Sequence, residues 1–130
     1  MKQAAYLVGI RQYREYVLKG VSNDLALVAQ GLRRHGYPEH AIHILDDTHS
    51  TLAGLHSLLS RIRSEFAGAA GGSCLLYMSA GGALSLDPLR GGVLPGDGLE
   101  EDFRTALSFD ELNLLLPTGP GLRVSFILDT

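Results

Sequence analysis

The strongest constraint on the fold is an alternation. Short, uninterrupted apolar runs are separated by stretches whose apolar positions recur at helical spacing. Residues 4–10 (AAYLVGI) form such a run and end in a polar loop, as expected of a strand buried on both faces. Ser22 or Asn23 then stands where a side chain could cap a helix reaching to about His35. Leu25, Val28, Ala29 and Leu32 make its stripe, and Gly36 is its stop. Residues 42–45 read as a second short strand. Ser50 or Thr51 opens another helix, with Leu52, Leu55, Leu59, Ile62 and Phe66 on one face, and the glycine-rich stretch 68–72 breaks it. Residues 73–78 (SCLLYM) are a third buried strand and 123–128 (RVSFIL) a fourth. Between them, residues 80–107 are rich in Gly, Pro and Asp and read as a long irregular segment. Ser108 and Glu111 then form the capping box of a short helix over 112–116.

Strands separated by helices of crossover length imply a parallel sheet with right-handed connections and helices on both faces. The expectation is one three-layer α/β domain over residues 1–130, with a four-stranded parallel sheet in the order 2-1-3-4. Ligands of such sheets sit at the carboxyl ends of the strands, so the segments after Ile10, Leu45, Met78 and Leu128 are the ones to search. A loop as long as 80–107 exceeds what a connector needs and points to function.

Those strand ends carry an ordered set of residues. Gly9-Ile10 is followed by Tyr13, Leu18, Gly20 and Asn23-Asp24. The third strand leads into Tyr77-Met78-Ser79-Ala80-Gly81-Gly82. Then come Val93-Leu94-Pro95-Gly96-Asp97, Leu107-Ser108 with Glu111-Leu112, and finally Phe126-Ile127-Leu128-Asp129-Thr130. In order and spacing this resembles the large-subunit portion of caspase-like cysteine peptidases of the metacaspase and orthocaspase type. Their corresponding motifs are an "IGI…Y…L.G..ND" opening, a Y-x-S-G-H-G turn, a "yL.p.D" loop and a strand leading into D-x-C-H-S-G. The resemblance implies the caspase-hemoglobinase fold.

It also exposes two departures. Gly81 occupies the position of the family's catalytic histidine, and the nucleophilic cysteine would follow Thr130. Cysteine peptidase chemistry needs a thiolate held by an imidazole that later protonates the leaving amine. A glycine transfers no proton, so this polypeptide by itself is expected to be inactive. What the resemblance leaves is the pocket for a basic side chain, implied at Asp24, Ser79 and Asp129. Two functions follow: a pseudo-peptidase that binds or regulates, recognising basic peptides, or a piece of an active cysteine endopeptidase whose nucleophile lies beyond Thr130 or on another chain. A receiver or nucleotide-binding module fits less well, because the first strand is followed neither by paired acidic residues nor by G-x-G-x-x-G.

Each of these residues also has a plainer reading. Asp24 in the first turn of a helix favours the dipole, Asp129 could simply end a strand, and a buried Ser79 would bond nearby backbone. Cys74, inside an apolar run, reads as a small hydrophobe, and as the sole cysteine it excludes a disulfide framework. His40 and His43 flank a strand, but with His35, His49 and His56 they offer no third ligand at a convincing spacing, so no metal is expected. Calcium is implied only through the family, at Asp97, Glu100, Glu101 and Asp102, whose spacing is not that of an EF-hand. The Gly81-Gly82 and Gly91-Gly92 pairs lack the G-K-[ST] of a phosphate loop.

A net charge of −3 gives no footprint for nucleic acid, and no apolar run is long enough for a membrane span or a signal peptide. A soluble, cytoplasmic protein without membrane or nucleic-acid partners is the expectation. With the sequence stopping at Thr130, the fourth strand is expected to carry a bare apolar edge that meets a second copy or a protein partner.

Overall fold

In a computed structural model, which describes residues 2–45 and 50–130, the apolar runs form the centre of a parallel sheet. In chain order the elements are β1 (Gln3–Gly9), α1 (Val21–Arg34), β2 (Ile42–Leu45), α2 (Leu52–Glu65), β3 (Gly72–Ser79), β4 (Gly81–Leu86), β5 (Leu89–Leu94), β6 (Leu107–Ser108), α3 (Phe109–Leu115) and β7 (Leu122–Asp129). The main sheet has the order β2-β1-β3-β7, every neighbouring pair parallel, so the expected 2-1-3-4 order holds with β7 as its fourth strand. His49 lies outside the described residues.

The sheet is covered unequally on its two faces. On one side, Ala5 and Leu7 of β1 and Tyr77 of β3 pack against Leu25 and Ala29 of α1. On the other, Tyr6, Val8 and Ile10 meet Leu55, Leu58, Leu59 and Ile62 of α2, together with Leu112 of α3. These α2 side chains are essentially unexposed, and each contributes on the order of 2 kcal/mol by leaving water. The result is a three-layer α/β fold. No helix among the described residues is long and apolar enough to cross a membrane.

The helix ends follow the sequence at α2, with corrections at α1 and at α3, which spans Phe109–Leu115 rather than 112–116 and lacks the Glu111 half of the capping box. Thr51 caps α2 by accepting from the Gly54 N–H at 3.0 Å, and Ser108 caps α3 by accepting from the Glu111 N–H at 3.1 Å. The Glu111 carboxylate turns instead to His56 Nε2 at 2.8 Å, tying α3 to α2. Neither Ser22 nor Asn23 caps α1. The N-cap is Gly20, in the left-handed region at φ 89, with no side-chain cap bond. At the far end Gly36 takes φ 92 and its N–H reaches the Arg33 carbonyl, while the Tyr37 N–H reaches Leu32, closing the helix as expected.

The larger difference is residues 80–107. Only residues 95–106 are irregular, as turns and a short 3-10 turn: β4 and β5 form an antiparallel hairpin that turns at Asp87-Pro88, and β6 adds a third strand beside β5. Glycines hid this ladder from a pattern reading. At Gly92 the backbone of Leu107 and Ser108 comes so close that no Cβ would fit, so a strand position is held by a residue of low strand preference. The hairpin, α2 and α3 share the same side of the main sheet.

Candidate functional site

The strand order reverses between β1 and β3, because the chain leaves β1 outward for β2 and returns to β3. The carboxyl ends at that reversal are where an open α/β sheet makes a crevice. Gly9 lies there on the α1 side, and α1 approaches so closely that a Cβ at Gly9 would sit 2.6 Å from Val21 Cγ1. That close approach places the first turn of α1, with Asp24, against the end of β3.

Three of the expected site residues come together at this point. Ser79 is buried, and its hydroxyl donates to the Asp24 carboxylate at 3.1 Å. Ser79 is the register partner of Asp129 on β7, so both side chains stand on the same face of the sheet. Asp129 is engaged by a residue the sequence reading named without assigning a role: the Tyr77 hydroxyl donates to Asp129 Oδ2 at 2.7 Å. Tyr77 lies two residues before Ser79 on the same strand, so period-two alternation would have placed it on this face. Burial raises the Tyr77 pKa above the ordinary phenol range, and both carboxylates push it further, Asp129 through its hydrogen bond and charge and Asp24 through its charge. The phenol therefore keeps its proton and stays a donor. Each carboxylate accepts one internal hydrogen bond here while Asp129 is exposed and Asp24 half-buried, which leaves acceptor positions for an incoming cation.

Gly81 stands on the other side of the same strand end. Its N–H donates to the Tyr13 hydroxyl at 2.7 Å, and that hydroxyl donates to the Leu94 carbonyl at 2.8 Å. Tyr13 stacks on Tyr16, with ring centroids 5.0 Å apart, and Tyr16 in turn donates to Glu100 at 3.0 Å. A Cβ at Gly81 would lie 3.3 Å from both tyrosine hydroxyls, so the space a side chain would use is already lined by phenols. Burial pushes Tyr13 up to about 12, which makes it a structural donor rather than a base. The end of β7 lies alongside: the Ala80 N–H donates to the Asp129 carbonyl, and a Cβ at Gly82 would lie 3.4 Å from Thr130 Cγ2.

The remaining candidates are accounted for locally. Cys74 is buried on the α2 side, and burial pushes its thiol up to about 11, so it carries no thiolate near neutrality. His43 stacks on Tyr6 at 4.9 Å, and the Tyr6 hydroxyl bonds Glu65. Three of the acidic loop residues serve separate partners. Asp97 accepts from the Leu52 N–H at 2.9 Å, Glu100 from Tyr16, and Asp102 caps a short turn while pairing with Arg104. No three His, Cys, Asp or Glu side chains among the described residues converge on one point.

No family model matches this sequence, and no curated protein does. Among solved structures the chain is similar to protein GSU0716 from Geobacter sulfurreducens, with a TM-score of 0.71 at 19% identity. The match covers 99% of this chain and 50% of that one, so the chain spans half the length of its structural neighbour. At this identity the likeness shows the shared α/β fold and nothing finer.

Proposed function

We propose that this chain is a caspase-like domain of metacaspase or orthocaspase type that does not hydrolyse peptide bonds by itself and binds basic side chains of peptides or proteins. One observation carries the reading: Asp24 and Asp129, from different elements, meet around Ser79 and Tyr77 at the carboxyl edge of the sheet. Two carboxylates with free lone pairs suit a guanidinium, which presents several N–H donors in a plane. The inactivity rests on Gly81 and its surroundings. No imidazole stands at that position, the adjoining phenols hold their protons, and Cys74 is buried inside β3 with its thiol pushed up to about 11. The rival reading, a piece of an active cysteine endopeptidase, needs a proton-transfer group near Gly81, and the Tyr13–Tyr16 pair fills that place.

The test is calorimetric titration with a short peptide carrying arginine, against the same peptide carrying citrulline. Binding of the first only is expected, with Asp24→Asn and Asp129→Asn each weakening it by about tenfold or more, as loss of one charge-assisted contact does. Equal affinity of the two variants and the parent for the arginine peptide would sink the reading.

A further inference from the structure

Tyr77 and Ser79 each occupy one oxygen of a carboxylate, but only one of the two donors sits on a rigid arm. Tyr77 is 5% exposed, and its ring is held among Ala5, Leu7, Leu25 and Ala29 between the sheet and α1. Its register partners are Leu7 on β1 and Ile127 on β7, so Asp129 stands two residues nearer the carboxyl edge. The phenol leans along the strand to reach Asp129 Oδ2 at 2.7 Å, as strand side chains do. A ring this buried does not swing after a moving partner, so the bond holds Asp129 rather than the reverse.

Asp24 comes to the same place from α1, its own backbone N–H bonded to the Gly20 carbonyl at 2.8 Å, and it gives Oδ2 to Ser79. Both carboxylates stand beside Ser79, Asp24 through that bond and Asp129 as its register partner. Each then presents its other oxygen, Oδ1, to a ligand.

We infer that Tyr77 is the positioning residue that makes this pair of carboxylates select a guanidinium over an ammonium. This role rests on the basic-side-chain reading proposed above and names which basic group is taken and what decides it. A guanidinium is planar and presents its N–H groups in fixed directions, so it rewards acceptors whose orientation is set beforehand. An ammonium is a compact charge with rotatable donors, and it follows a carboxylate wherever that group turns. Without the phenol bond Asp129 keeps its charge, and water takes the place of the lost donor. Attraction for any cation survives, whereas the match to a plane is lost.

Calorimetric titration with two peptides that differ only in carrying arginine or lysine tests this role. The parent is expected to bind the arginine peptide about tenfold tighter, the worth of one more charge-assisted hydrogen bond. In Tyr77→Phe the ratio is expected to fall to about threefold or less through loss of arginine affinity, with lysine affinity within about twofold of the parent. Asp129→Glu keeps the charge, displaces the carboxylate from the phenol and leaves the buried ring untouched. It is expected to lose the ratio in the same way, so the role is tested even where the Tyr77 variant folds poorly. A ratio near one in the parent overturns the role, and so does a ratio that either variant leaves at the parent's value. A parent that binds neither peptide removes the acidic-site reading and this role together. Equal binding of both peptides leaves that reading standing and removes only the role of Tyr77.

Discussion

Two tyrosine hydroxyls flank the end of β3, and they are used in opposite ways. Tyr13 is sealed: its hydroxyl sits between the Leu94 carbonyl and the Gly81 N–H, with the Tyr16 ring stacked over it. Tyr77 is buried in its ring but open at its tip, where the hydroxyl meets a carboxylate exposed to solvent. The same functional group thus closes one side of the strand end and orients an acceptor on the other. Water decides the difference, because a polar group that loses its partner is rescued only where water can reach it. Under the proposed caspase-like reading, the sealed side is where a peptidase of that kind would place its imidazole. The open side leaves the Asp129 carboxylate facing solvent.

Deleting the same atom on each side separates the two. Tyr13→Phe strands a buried carbonyl and a backbone N–H together and is expected to cost about 1–3 kcal/mol in urea unfolding. Tyr77→Phe, whose partner can turn to water, is expected to cost less than about 1 kcal/mol. Equal losses would mean the two sides are equally closed. The pH dependence carries the same asymmetry. Folding lifts the Tyr13 hydroxyl from 10.0 to about 12, so the unfolded chain gives up this proton first. The corresponding stability is whole below pH 10 and is lost as the pH climbs through 12, at up to about 1.4 kcal/mol per unit. Tyr13→Phe should flatten that part of the alkaline unfolding curve. Tyr6 and Tyr77, also raised, keep some slope in it.

Refilling the sealed side is the next largest change. In Gly81→His the new Cβ would start 3.3 Å from both phenol oxygens, and Tyr13 is held in place by two hydrogen bonds. We expect a cost of about 1–2 kcal/mol from overpacking. No cleavage of an arginyl peptide should appear in a fluorogenic assay, because the introduced imidazole has no thiolate to pair with, the Cys74 thiol being buried and pushed up to about 11. A variant as stable as the parent would show that the tyrosine pair yields readily and that the pocket is less closed than its hydrogen bonds imply.

How far these regions were legible differs for the same physical reason. Strands buried on both faces need apolar residues at every position, so β1 and β3 stand out in the sequence as unbroken runs. The β4–β5 hairpin is fixed by close backbone approach, and the glycines that permit it, Gly91 and Gly92 among them, erase the alternation that marks a strand. Asp24, Ser79 and Asp129 could be named through a family resemblance, and the fold does bring them to one edge. Tyr77 sat in the quoted motif without a role, although its spacing from Ser79 sets it on the same face. Tyr13 could not be assigned its task in advance. Its partners at Gly81 and Leu94 are distant in sequence, and only the assembled sheet brings them within reach.

The smallest expected effect refines the open side itself. Ser79 is buried, yet its one side-chain bond is to Asp24, which is half-exposed at the first turn of α1. Removing the hydroxyl in Ser79→Ala leaves no buried group stranded, since water can approach the carboxylate from outside, and the helix dipole continues to favour its charge. A stability change of about 0.5 kcal/mol is therefore expected, close to the limit of urea unfolding measurements. Binding of an arginine peptide should fall by a few-fold at most, because Asp24 keeps its charge and loses only its tether. If Ser79→Ala instead weakened that binding as much as Asp24→Asn, the tether rather than the charge would set the geometry of the site. The open side would then be nearly as tightly organised as the sealed one.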